Sequence, residues 1–351
     1  MTHLRREGRQ VVTRTGAVHV VRHVYYCHEC GRTHAPLDEA LGLDGTQYSK
    51  RARQWCLRIG AALPFAEGEE MLRELTAVQA DASVIEAFCA RAGSRMEEDV
   101  QARTEKPASP AACAHEHLYV GVDGVHAPIR DDQRPWQEVR TGVVFTATAG
   151  TDGPTLDQRE YLAFLGTMED FAPRLWECAS RWGALHEPHI TFLGDGAPAN
   201  WSLAELLFPG AMQILDFYHA CEHLRAIRDL LFGADDPGGI TWLDQQCHRL
   251  KAGRWNTVMA TIRALRPRRG CARRLRTEAE YFVRNRHRMR YLHFRRLGLY
   301  IGSGVVESVC KQIVTRRIKV SGARWKPDSC QGMLHLRCAY LSNPTALLDA
   351  A

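Results

Sequence analysis

His117-Leu-Tyr-Val-Gly-Val-Asp123 and His189-Ile-Thr-Phe-Leu-Gly-Asp195 are two short, largely apolar runs, each ending on an aspartate followed by glycine. Short apolar runs bounded by turn signals read as buried strands. If both lie in one sheet and end at one edge, their carboxylates converge across a strand spacing of ~5 Å. Two carboxylates so close repel each other and are best tolerated around a divalent cation. A pair of such ions ~4 Å apart can activate an attacking oxygen and steady a leaving one. Singly, each Asp-Gly is also an ordinary turn after a strand. The pairing carries the information.

Outward from these runs the pattern is α/β. Glu138 to Thr148 reads as a second strand and hairpin partner of the first, and Met168 to Trp182 as a helix. A helix follows Asp195 through Leu206, Met212-Gln-Ile-Leu-Asp216 is a further strand, and His219 to Phe232 is helical. Gln245 to Tyr300 reads as helical and arginine-rich, and Ser303 to Lys319 as a helix entered through Gly302 and Gly304. In that last helix Val306, Val309 and Ile313 mark the buried stripe and leave Glu307 and Lys311 on another face. Glu307 and Lys311 suit a surface pair at i,i+4. The glycines favour a different role, a close approach to a sheet edge where Glu307 supplies a third carboxylate. Asp216 and His219 read either as an N-cap and a helix-start histidine, or as groups beside the cation edge. There His219 would bind a phosphate or shuttle a proton.

Residues 1–45 read as short strands, with a hairpin of Gln10–Gly16 and Ala17–Tyr26 running into Cys27-His-Glu-Cys30. A CxxC is half of a zinc site, since four ligands are normally needed. His3, His19, His23, His28 or His34 would have to complete it. Residues 46–100 have helical spacing, as a helix-turn-helix over Phe65 to Met96 or a plain helical hairpin. Residues 101–116 read as a linker. Residues 117–351 read as one α/β domain, with a basic helical stretch at about 235–300.

Charge is distributed unevenly. Gln245 to Lys326 holds 22 Lys and Arg against three acids, whereas the rest of the chain holds 24 against 37. Such a stretch implies a polyanionic partner, nucleic acid first, because phosphate neutralisation supplies most non-specific affinity. Its DNA-contact candidates are Arg254, Lys311, Arg316, Arg317, Lys319 and Arg324. Trp325 lies between cations, and Trp255 either stacks on a base or anchors a core. No run approaches the ~20 apolar residues of a membrane span. The polar start argues against a secretory signal, and scattered cysteines suit reduced thiols. A cytoplasmic location is therefore expected.

Five stretches give the chain a specific likeness: Tyr119-Val-Gly-Val-Asp-Gly-Val, Phe192-Leu-Gly-Asp-Gly-Ala, Ile214-Leu-Asp-Phe-Tyr-His-Ala-Cys-Glu-His-Leu, Ile301-Gly-Ser-Gly-Val-Val-Glu and Arg316-Arg-Ile-Lys-Val-Ser-Gly-Ala-Arg-Trp. The chain resembles bacterial insertion-sequence transposases of the ISKra type, related to the Mutator-like group. The resemblance implies a ribonuclease H-like mixed sheet flanked by helices, with an all-helical insertion and small N-terminal β (half zinc ribbon) and helical modules. It places a catalytic DDE triad on Asp123, Asp195 and Glu307, and the family's acid-x-x-histidine signature on Asp216 and His219. It implies two Mg²⁺ or Mn²⁺ ions, double-stranded DNA as element ends and target, a homodimer or larger synaptic complex, and action at the bacterial nucleoid. Relatives carry a further cysteine pair upstream of the hairpin. This departure from the family pattern implies either that the true N-terminus is missing or that those histidines substitute if Cys27 and Cys30 bind zinc. The alternatives are a structure-specific nuclease on the same fold and a catalytically dead DNA-binding remnant.

Overall fold

Local sequence places the elements in the following order. The structure, a computed structural model, describes the chain except residues 44, 107–116, 149, 151–152, 188, 303, 346 and 348–351, and the side chains of 305–307. Three strands, β1 (Thr2–Thr13), β2 (Gly16–Tyr26) and β3 (Thr33–His34), lead into helices α1 (Pro36–Ala40), α2 (Lys50–Ala62), α3 (Phe65–Leu75) and α4 (Ala82–Glu105). There follow β4 (Leu118–Pro128), β5 (Trp136–Thr148), β6 (Thr155–Leu165), α5 (Met168–Arg181), β7 (Ile190–Gly194), α6 (Pro198–Leu207), β8 (Met212–Leu215) and α7 (Phe217–Leu231). The remainder is helical: α8 (Pro237–Lys251), α9 (Trp255–Ala264), α10 (Ala272–Arg284), α11 (Tyr291–Arg296), α12 (Gly304–Val309) and α13 (Pro327–Ser342). Two compact units result. One comprises Met1–Ala102, Ala127–Gln137 and Ile313–Ala351, the other Arg103–His126 and Glu138–Gln312. These units cut across the boundaries drawn from sequence, since the last stretch belongs with the N-terminal helices. Most of the expected linker, 107–116, lies outside the described residues, and α4 runs on to Glu105.

In the first unit, β1 and β2 form an antiparallel ribbon turning at Arg14-Thr15, with Gly16 at φ 120°. β1 starts at Thr2 rather than Gln10. Its first half is polar on both faces and held by ion pairs of Arg5 and Arg22 with Glu7 and of Arg9 and Arg22 with Asp38. An apolar alternation was therefore absent from the sequence there. Helix α2, N-capped by Ser49, buries Ala52, Cys56, Leu57 and Ala61. Its C-terminal carbonyls are met by two buried arginines: Arg317 Nε donates to Gly60 O at 2.9 Å and Arg337 Nη1 to Ala61 O at 2.8 Å. Cations at that end also suit the helix dipole. Helices α4 and α13 cross at Gly93 and Gly332, where a Cβ on Gly93 would fall 2.5 Å from the Gly332 backbone.

The second unit is built on a five-stranded mixed sheet of order β6-β5-β4-β7-β8, flanked by helices. β4, β7 and β8 run parallel, and β5 and β6 antiparallel. Leu118, Tyr119, Val120 and Val122 of β4 are all buried, as a strand covered on both faces requires. β4 does not end on Asp123; it continues to Pro128, although its pairing with β7 ends at Val122. Strand β6 has no counterpart in the sequence reading. The helical stretch expected from Gln245 to Tyr300 consists of α8 to α11 and a 3-10 turn at Arg286–Met289. Gly253 and Gly270, at φ 75° and 80°, lie in two of the breaks. The expected helix Ser303–Lys319 shortens to α12 and a π-helical stretch, Cys310–Thr315. Among the described residues no helix is long and apolar enough to cross a membrane.

Candidate metal-binding edge of the central sheet

Register brings three aspartates level. Val122 of β4 pairs with Gly194 of β7, and Gly194 pairs with Leu215 of β8. The next residue in each chain segment is Asp123, Asp195 and Asp216. Strand spacing of ~4.8 Å puts neighbouring members of this row within electrostatic reach. The Asp216 N–H also donates to Gly194 O at 2.9 Å, which ties the row together.

Each acid is held differently. Asp123 is half-buried, and its Oδ1 accepts the Gly124 N–H at 2.7 Å. Burial pushes its carboxyl above the usual range and the Asp195 charge adds to the push, while the Cys310 thiol, the Gly124 N–H and His219 pull against it. Thr141 Oγ1 lies 3.1 Å from Cys310 Sγ and 3.2 Å from the Asp123 carbonyl. Burial and the Asp123 charge push the Cys310 thiol up, keeping its proton on sulfur. Asp195 Oδ1 accepts from Ala197 N and Asn200 Nδ2, both at 2.9 Å. Asp216 is buried and caps α7, accepting from Tyr218 N at 2.7 Å and His219 N at 3.3 Å. The capping role is thus present, and it sets His219 in the first turn of α7. His219 Nδ1 lies 3.2 Å from Glu222 Oε2.

The third acid of the expected triad is placed by its backbone alone, because the Glu307 side chain lies outside the described residues. Both ends of its segment are anchored near the row. Ile301 O accepts the Phe217 N–H at 2.9 Å. A Cβ on Gly302 would lie 3.0 Å from Phe217 Cβ and 3.1 Å from the Tyr218 ring. At the other end Cys310 bonds Asp123. Glu307 sits in α12 between these anchors, one helical turn before Cys310. π-Helical turns inside α-helices often mark functional sites, and one begins here.

The donor chemistry fits a hard divalent cation. Adjacent strands deliver carboxylates whose mutual repulsion a cation would relieve. Among the described residues, no three His, Cys, Asp or Glu side chains group closely enough to hold a metal.

The other expected sites fare unevenly. Cys27 and Cys30 share a tight knuckle in which Gly31 N donates to Cys27 O at 2.9 Å. The Cys27 thiol is held below its ordinary value by the Cys30 N–H, the Cys30 thiol and the Glu29 N–H. Of the five histidines, His34 is the one beside the pair, its Nε2 3.5 Å from Cys30 Sγ. His3 and His23 bond each other, and His28 bonds Thr2. Lys311, Arg316, Arg324 and Arg254 are exposed. Lys319 lies over the Trp136 ring at 5.5 Å. Arg317 is corrected: at 2% exposure, its guanidinium over Phe65 and Trp325, it cannot reach a phosphate. Trp325 donates its indole N–H to Ile318 O at 3.0 Å beneath that guanidinium, an internal anchor. Trp255 is half-buried under Arg286 at 4.7 Å, which favours its anchoring role.

Sequence reasoning missed Thr141, Asn200, Tyr281 and Cys310 at this edge. Tyr281 donates to the Asp195 carbonyl at 2.7 Å from α10, far along the chain. Only Cys310 carried a local signal, standing three residues after Glu307. No protein-family model matches the chain, and no curated protein matches it.

Proposed function

We propose that this protein is a DDE transposase, cutting and joining insertion-sequence DNA on a ribonuclease H-like sheet. The observation that carries the reading is the level row of Asp123, Asp195 and Asp216, with the Glu307 helix anchored beside it at Gly302 and Cys310. A mixed sheet whose parallel strands deliver acids to one edge supports the ribonuclease H-like assignment.

Asp123, Asp195 and Glu307 would hold Mg²⁺ or Mn²⁺. Bound there, a pair of ions supplies Lewis acidity to both the attacking and the departing oxygens of an in-line displacement. The protein's own part is to orient and to exclude. Ala197 and Asn200 fix the rotamer of Asp195, and Cys310 and Gly124 fix that of Asp123. His219, oriented by Glu222 and by the Asp216 cap, takes or returns the proton at the 3′-oxygen. Water first attacks a phosphodiester at the element end, and the freed 3′-hydroxyl then attacks target DNA in the same site.

Exposed arginines on the insertion hold the duplex. Among the described residues no ion pair engages Arg273, Arg274, Arg276, Arg284, Arg290, Arg295 or Arg296, all exposed. Cations left without acidic partners suit phosphate.

Purified protein incubated with linear element ends and Mn²⁺ tests the proposal, wild type against Glu307→Gln. Nicking and strand transfer by wild type, lost in the variant, are expected. Equal activity in both removes Glu307 from the triad. Cleavage of pre-formed junctions without joining would point to a resolving nuclease instead.

A further inference from the structure

We infer that Tyr281, carried by the helical insertion, is a positioning residue for Asp195, so that the insertion sets the geometry of the cation-binding edge. The inference rests on the cation-dependent reading above.

Tyr281 lies in α10, 86 residues beyond Asp195, and its hydroxyl donates to the Asp195 main-chain carbonyl at 2.7 Å. The next residue, Gly196, has φ 95°, and a Cβ there would fall 2.6 Å from both Cε2 and the hydroxyl oxygen of Tyr281. The glycine of this Asp-Gly pair is therefore demanded twice, by its backbone and by the incoming phenol. Ala197 and Asn200 meanwhile hold the Asp195 carboxylate from the start of α6. Main chain and side chain of one acid are thus fixed by separate elements. Mg²⁺ tolerates little drift in its ligands, because it demands near-octahedral geometry at about 2.0–2.1 Å.

A second bond set fastens α10 to α7. The His223 ring stacks on Tyr281 with centroids 3.6 Å apart, and His223 Nδ1 lies 2.6 Å from Glu278 Oε2, one turn before Tyr281. Helix α7 is the one that Asp216 caps and that carries His219. The same α10 presents Arg273, Arg274, Arg276 and Arg284 to solvent. Force on the arginine-bearing helix has a short route to the acid.

Tyr281→Phe in the full chain keeps the ring and removes only the hydroxyl. Three readouts separate positioning from stability: Mn²⁺ binding followed by the electron paramagnetic resonance of the free ion, DNA affinity by fluorescence anisotropy in Ca²⁺, and nicking across a Mn²⁺ series. Losing one hydrogen bond that orients a ligand predicts Mn²⁺ binding weakened about fivefold to tenfold. Nicking should fall at low Mn²⁺ and recover at high Mn²⁺, with DNA affinity unchanged. A wild-type Mn²⁺ isotherm in the variant overturns the inference, whether or not the melting temperature drops. If the wild type itself binds no Mn²⁺, the cation reading falls and takes this inference with it. The wild-type isotherm tells the two failures apart.

Discussion

Asp123 sits where its charge is least welcome: half-buried, one strand from Asp195, and pushed toward protonation by both burial and that neighbour. Removing the charge relieves the protein and disables the proposed chemistry. Asp123→Asn should raise the melting temperature in EDTA and lower nicking by at least about a thousandfold, in line with the loss of an essential catalytic group. Thermal melts with and without Mg²⁺ check the first part and a plasmid-nicking gel the second. A variant no more stable than wild type in EDTA would deny the repulsion. Arg316 and Arg317 make the complementary comparison, being adjacent in sequence and opposite in exposure. Arg317→Ala loses its bond to Gly60 and its place over two rings, and should cost roughly 2–3 kcal/mol in unfolding. Arg316→Ala should leave stability alone and reduce the salt slope of DNA binding by about one. Denaturant titration and anisotropy over a salt series distinguish them.

Among elements, the contact between β6 and α5 is sensitive to acid. Glu160 of β6 accepts from Arg181 at 2.7 and 3.1 Å and from the Trp182 indole at 2.8 Å. Burial alone would raise its pKa, but the Arg181 bonds and charge and the Trp182 bond bring it below 4.5. A depressed carboxylate stabilises above its unfolded value and loses that contribution as pH falls through the folded one. Stability should therefore drop below about pH 4.5, and Glu160→Gln should lower it by about 1–2 kcal/mol at pH 7 while flattening the acid limb. Unchanged acid unfolding in the variant would count against this ion pair. The sequence also shows why β6 escaped notice: Asp157-Gln-Arg-Glu160 is charged, and only Tyr161 and Ala163 are buried. β7 and β8 were legible because their apolar runs stop abruptly on an acid. The order of acids along the chain was legible for the same reason. The continuation of β4 past Asp123 was not, since it depends on pairing partners that no local pattern names. Tyr281 was hidden by distance alone, an aromatic in a helix that looks like any core residue until the chain folds.

For the whole molecule, charge is the property with the broadest consequence. The insertion's solvent-facing arginines lack acidic partners among the described residues, so DNA affinity should collapse with salt. A protein neutralising six or more phosphates loses about a thousandfold or more between 50 and 200 mM salt. A shallow slope, near that of one or two contacts, would show that these arginines serve another partner. Assembly of the first unit carries a different consequence. Its helices α2 and α4 pack with Ile313–Ala351, segments far apart in the sequence. Gly93 meets Gly332, and Arg337 closes the end of α2. Pairing of such distant segments slows folding. During synthesis helices α2 and α4 must wait, their apolar sides uncovered, until the ribosome has delivered α13. A premature stop before Pro327 would therefore cripple the opening hundred residues as surely as it removes the closing ones.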